Sequence, residues 1–219
     1  MSTGPGRDEG AKRSRTATRR RLLETAAGVF AERGIEGASV GELCAAAGFS
    51  RGAFYSNFGS KTDLALAMYE DHVEQLVSRL GEQLERWLTA GASAEEVVVR
   101  ILEGLSDHTS DTTWHTVRLE LLLTARRSPA VREVLVGHRD ALVDAVVDAL
   151  TRVARRQRLR FTVEVADLAR MLLATYDGAL NARLADGPEG AAQHDVAPAI
   201  WLAFTRPEEA DGTPPAGHR

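Results

Sequence analysis

The chain of 219 residues contains one cysteine, Cys44. A single thiol makes no internal disulfide and offers no thiolate cluster to a metal. No run of about eighteen apolar residues occurs, so a membrane-spanning helix is not expected. The first residues are rich in Gly, Thr and Arg and lack an apolar core, so they do not read as a secretory signal, and a cytoplasmic location is expected. The histidines, His72, His108, His115, His138, His194 and His218, show neither i, i+4 pairing nor the HExxH spacing of a zinc site. Ser, His and Asp are present, but nothing arranges them as a nucleophile with its base or as paired acids. No catalytic residue, metal or cofactor is therefore expected, and the chain is not read as an enzyme.

What remains is an ordinary soluble composition with an uneven charge. Apolar residues make up 44% and charged residues 26%, enough to bury a core in a large domain or in a small one joined to a medium one. Residues 1–61 carry ten Lys or Arg against six Asp or Glu, a balance of +4. The other 158 residues carry seventeen against twenty-five, a balance of −8. A basic head on an acidic body points to a polyanion partner for the head alone.

Hydrophobic spacing predicts helices throughout. Residues 1–15 read as a disordered basic arm, and Lys12, Arg13, Arg15, Arg19, Arg20 and Arg21 crowd the approach to a first helix starting near Thr18. Leu22, Leu23, Ala26, Ala27 and Phe30 form its buried stripe, and Gly34 can take a left-handed position past its end. Ser39 with Glu42 spells a capping box opening a helix over 40–47, and Ser50 can cap a second, shorter one after the break at Gly48. Ser60 with Asp63 and Ser93 with Glu96 open two more helices, and Ser128-Pro129 opens a long one ending near Arg156. Another is expected from Thr162 to the Asp186-Gly187-Pro188 stop, and a last one around Val196 to Phe204. No alternating strand pattern is assigned. The last two long helices have apolar surface wider than one stripe, which suits burial in the subunit on one side and against a second copy on the other.

Helix 40–47, the turn Gly48-Phe49-Ser50 and helix 51–57 have the dimensions of a helix-turn-helix, whose second helix offers its first turns to the major groove. Val40, Leu43, Phe49, Phe54 and Phe58 can pack the pair onto the first helix. Arg51, Gly52, Ser56 and Asn57 are not needed for that core. Arg51 has the fork to read guanine and Asn57 the amide to pair with adenine or grip backbone. Gly52 and Ala53 keep the helix surface slim against base edges. Tyr55, Lys61, Ser39 and Ser50 suit phosphate oxygens.

Residues 39–64, SVGELCAAAGFSRGAFYSNFGSKTDL, resemble the DNA-binding signature of the tetracycline-repressor (TetR) family of bacterial regulators. Ser39 and Val40 open it, Ala47-Gly48-Phe49-Ser50 forms the turn, and Tyr55, Phe58, Lys61 and Leu64 fall where the family has them. Leu43 and Cys44 stand where isoleucine and alanine are usual. The resemblance implies an all-α fold, with a three-helix DNA-binding domain over 16–62, a larger ligand-binding and dimerisation domain over 63–205, and a disordered tail over 206–219. It further implies a homodimer on a palindromic double-stranded operator, acting as a repressor that a small-molecule effector releases. Within the family an activator is the alternative. Outside it the alternative is a helical sensor or adaptor that keeps the helix-turn-helix only as scaffold.

Trp87, Trp114, His115, Arg118, Leu122, Tyr176 and Asn181 lie in helices that the family uses as pocket walls, and are the candidate effector contacts. Trp114 and Arg118, four apart, share a face. Glu120 is offset from it and could pair with an arginine elsewhere. Cys44, among Leu43 and three alanines, is expected to be an inert buried thiol.

Overall fold

The computed structural model describes residues 6–104, 111–187 and 196–208. In order, the elements are α1 (Gly6–Gly37), α2 (Val40–Ala47), α3 (Arg51–Tyr55), α4 (Lys61–Thr89), α5 (Ala94–Gly104), α6 (Asp111–Ala125), α7 (Pro129–Gln157), β1 (Leu159–Phe161), α8 (Val165–Asp186), α9 (Val196–Phe204) and β2 (Thr205–Pro207). The fold is all-α, with one small sheet added.

Local chemistry sets most boundaries where the sequence places them. Ser39 accepts the Glu42 N–H at 3.2 Å while Glu42 accepts the Ser39 N–H at 2.8 Å, a complete capping box. Ser93 and Glu96 repeat it at the start of α5, at 3.2 and 2.9 Å. Ser60 accepts the Asp63 N–H at 3.1 Å, and Pro129 is the first residue of α7. Each satisfied cap is worth about 1 kcal/mol.

Other boundaries differ: α3 ends at Tyr55 rather than at residue 57, and α1 runs past Gly34 to Gly37. α1 starts at Gly6, well ahead of Thr18, so the described part of the basic stretch is helical; Ala, Lys and Arg there carry no helix penalty. The expected helix at Thr162 starts instead at Val165, because residues 159–161 pair antiparallel with 205–207. Arg158, at φ 52°, turns the chain out of α7 into that strand. The same pairing takes Arg206 and Pro207 out of the expected tail; residues 209–219 lie outside the described residues, as do residues 1–5.

Contacts divide the chain into two compact units. One takes the chain up to Leu76 together with the stretch through Asp140, and so holds α1–α3, the first half of α4, α6 and the start of α7. Its core contains Leu22, Ala26, Phe30, Leu43, Phe54, Phe58, Leu64, Met68, Val117 and Leu121. The other takes Val77–Ser106 and the chain from Ala141 on. There Leu84, Val97, Val98, Ile101, Val146, Leu150, Val153, Leu168, Leu172 and Trp201 are buried together. Full burial of each large side chain contributes about 1.5–3 kcal/mol, so either core outweighs any single cap. Apolar surface also stays outside: Val134 and Val136 on α7, Met171 and Leu184 on α8, and Leu202 on α9 are exposed.

Candidate nucleic-acid interface

The pair α2–α3 is built around glycine and phenylalanine. Gly48 closes α2 at φ 76°, ψ 30°, a left-handed position that a side chain would strain. The Phe49 N–H then donates to the Cys44 carbonyl at 2.9 Å, tightening the turn. Ser50, extended at φ −80°, ψ 160°, accepts the Ala53 N–H at 3.2 Å and starts α3. Phe54 is fully buried, with Phe58 at 6.0 Å in a tilted contact and Tyr55 edge-on at 5.3 Å. Of the expected core residues, Leu43, Phe54 and Phe58 are buried, while Val40 and Phe49 are half-buried. Anchoring Phe54 leaves the opposite side of α3 open: Arg51, Gly52, Tyr55 and Ser56 are exposed, and Tyr55 keeps 58% of its surface in solvent.

The other expected contact residues already have work inside the protein. Asn57 donates through Nδ2 to the Ala53 carbonyl at 2.8 Å, and the Ser56 hydroxyl donates to the same oxygen at 2.8 Å, closing the end of α3. Lys61 Nζ donates to the carbonyls of Glu36 at 2.5 Å and Ala38 at 3.2 Å, and lies 3.4 Å from the Glu36 carboxylate. It thereby ties the start of α4 to the end of α1. Ser39 and Ser50 use their oxygens as acceptors, which leaves each hydroxyl proton to donate. Arg51 lies over α2, where a Cβ on Gly41 would come within 3.2 Å of its guanidinium; Gly41 makes room for it.

The basic stretch also folds onto this unit. Arg15 donates to the Ser56 carbonyl at 2.5 Å, and the Arg19 guanidinium stands 5.4 Å over the Phe58 ring. Arg20 and Arg21 share Glu24, at 2.9 and 3.7 Å. The side chains of Lys12 and Arg13 lie outside the described residues. Cys44 is buried, and burial pushes its thiol above the usual range. The Arg51 guanidinium nearby pulls the other way. Desolvation is the larger effect, so the thiol stays protonated at neutral pH.

The candidate effector residues divide between the two units. Trp114, His115, Arg118 and Leu122 lie on α6 in the first; Trp87, Tyr176 and Asn181 lie in the second. Trp114 stacks on His72 at 4.2 Å with rings 8° apart, His115 is buried, and Leu122 is exposed. Trp87 and Tyr176 pack half-buried against the second core, and Asn181 is exposed. Nearby in the first unit, Tyr69 packs on His138 at 5.4 Å. His138 Nδ1 is buried without a partner, and burial pushes its pKa down, against a smaller upward pull from Glu70 and Glu74. Glu120 accepts the backbone N–H of Ile35 at 2.5 Å. Among the described residues no group of three His, Cys, Asp or Glu side chains could hold a metal, and no helix is long and apolar enough to cross a membrane.

The family model described as bacterial regulatory proteins of the tetR family matches residues 22–68, which take in the second half of α1, α2, α3 and the start of α4. A second, the tetracyclin repressor-like C-terminal domain, matches residues 89–202. The chain belongs to the TetR family. The HTH-type transcriptional repressor AcnR of Corynebacterium efficiens is 30% identical over 191 residues, covering 87% of this chain and 94% of that one. Among solved structures, a transcriptional regulator from Rhodococcus sp. Rha1 superposes with a TM-score of 0.66 at 24% identity, over 85% of this chain and 97% of that one. FadR from Bacillus subtilis, solved in complex with stearoyl-CoA, superposes with a TM-score of 0.63 at 15% identity, over 84% and 97%. This TetR-family chain is thus a DNA-binding transcriptional regulator, like its relatives, which are regulators rather than enzymes.

Proposed function

We propose that the protein is a homodimeric cytoplasmic repressor that places two copies of α3 in successive major grooves of a two-fold symmetric operator and leaves when a small molecule binds the body. The observation that carries this is the two-sidedness of α3. Phe54 is fully buried while Tyr55, the next residue, holds its ring 58% in solvent beside exposed Arg51 and Gly52. An aromatic hydroxyl held out by a neighbouring anchor suits a phosphate oxygen, and an arginine on the same open side suits a guanine edge. Ser39 and Ser50 would add their hydroxyl protons to the backbone grip. Lys61 has a third ammonium proton beyond the two given to the Glu36 and Ala38 carbonyls, and would direct it to phosphate.

Exposed apolar side chains on the last two long helices, Val134 and Val136 on α7 and Met171 and Leu184 on α8, support pairing of subunits. Two-fold protein symmetry then calls for two-fold operator symmetry. Trp114, His115 and Arg118 on α6, with Leu122 beyond them, are the residues we assign to the effector. That a fold neighbour was solved with stearoyl-CoA supports an effector cavity in this fold, without naming its occupant. The domain division near residue 62 follows from the same reading.

Selection of bound duplexes from a random pool, followed by affinity measurement over a salt series, tests the proposal. Tyr55→Phe should weaken every duplex by a similar factor, and Lys61→Ala should also lower the slope against salt by about one ion. Arg51→Ala should in addition relax the base preference at one position of each half-site, costing about 1–3 kcal/mol there. Absence of any duplex binding in dilute buffer would overturn it.

A further inference from the structure

The chain between α1 and α2 is held from two sides. Gly34 breaks α1 at φ 70°, ψ 167°, a conformation reserved for glycine. The helical hydrogen-bond pattern restarts after it, with the Ala38 N–H on the Gly34 carbonyl at 3.1 Å. The Ile35 N–H therefore sits at the beginning of a fresh turn and lacks a carbonyl in its own segment. Glu120 of α6, 85 residues further along the chain, supplies the acceptor: its Oε2 takes the Ile35 N–H at 2.5 Å. Its Oε1 occupies the space beside Gly34, where a Cβ would come within 2.7 Å of it. From the other side, Lys61 holds the carbonyls of Glu36 and Ala38.

We propose that Glu120 is a positioning residue for DNA reading: by gripping the Ile35 amide it makes the α1–α2 joint follow α6, and so fixes the attitude of α2 and α3. The geometry fits a latch more closely than a generic surface contact. A carboxylate on a backbone N–H is a charge-assisted bond, among the stronger single polar interactions. It is also short-ranged. Helix shifts in switching proteins are about 1–2 Å, and a displacement of about 1 Å takes a bond of this length out of hydrogen-bonding range. Gly34 is required twice, for its backbone angles and for the room that Glu120 fills. The candidate effector residues Trp114, His115 and Arg118 precede Glu120 on the same helix, so a ligand that turns or slides α6 acts on the joint without touching it. This use of the latch rests on the regulator reading above.

Three variants of the full chain test it, against an operator duplex selected from a random pool, a scrambled duplex of equal length, and hydrogen exchange at the Ile35 amide. Glu120→Ala should lower operator affinity about tenfold, leave the scrambled duplex unchanged, and speed exchange at Ile35. Glu120→Gln, which keeps a side-chain oxygen at the same reach without the charge, should recover about half of the loss in each. Glu120→Asp keeps the charge but withdraws the oxygen by a methylene. It should behave like alanine, and it replaces alanine in the comparison if that variant does not fold. Equal losses on operator and scrambled duplex would overturn the proposal, because a residue that only stabilises the fold has no reason to favour one duplex. An Ile35 amide that exchanges at the wild-type rate in Glu120→Ala would also overturn it. A wild-type chain that binds no duplex would sink the regulator reading; the exchange rates would still decide whether the latch exists.

Discussion

The α2–α3 unit and the second compact unit are both packed helices, yet they are specified at different ranges of sequence. In the first, a cap, a left-handed glycine, another cap and two phenylalanines follow one another within residues 39–58, and each fixes the element next to it. In the second, Trp201 closes a core whose other members begin at Leu80, and β1 finds its partner only at residues 205–207. Short-range specification produces a unit whose outward face is as defined as its core, which a reader of DNA needs. Long-range specification produces a body whose interior is defined and whose surface is left open to vary.

The strongest way to break that contrast is to empty each core. Phe54→Ala should cost about 3–5 kcal/mol and abolish duplex binding with it. Trp201→Ala should cost a similar amount, read as a lowered melting temperature, while duplex binding persists at temperatures where the variant remains folded. Loss of duplex binding by Trp201→Ala in a fully folded sample would show that the body sets the reading face after all.

The two capping boxes offer a gentler comparison, because the motif is the same and only its place differs. Ser39→Ala and Ser93→Ala should each cost about 1 kcal/mol in denaturant unfolding. Only the first should also weaken DNA binding. The smallest effect concerns the sheet. Arg160 stands directly opposite Arg206, a like-charge pair in register. Arg160→Glu should stabilise by a few tenths of a kcal/mol, by replacing repulsion with attraction, and the gain should shrink in high salt.

The same contrast explains what the sequence made legible. The helix-turn-helix, its caps and its buried phenylalanines could be read because every signal lies within a turn or two of the element it controls. The sheet could not: Leu159-Arg160-Phe161-Thr162-Val163 does alternate apolar and polar residues, but three paired residues are too few to stand out, and the partner strand is remote. Glu120 was visible as a residue off the apolar face of α6, and an arginine was the natural partner to expect. A backbone amide freed by a glycine kink cannot be foreseen from charge alone. Asn57 and Lys61 carried the right chemistry for DNA, and the structure adds that each also has a position to hold in the free protein.

α3 is five residues long, far below the length at which a peptide keeps a helical shape by itself in water. Its form is borrowed from Ser50, Phe54 and the Arg15 guanidinium that meets the carbonyl of Ser56. Anyone wishing to graft this protein's sequence preference onto another regulator would have to carry that borrowed support along with the residues that point outward. A transplant of the outward residues alone would move the lettering without the page on which it is written.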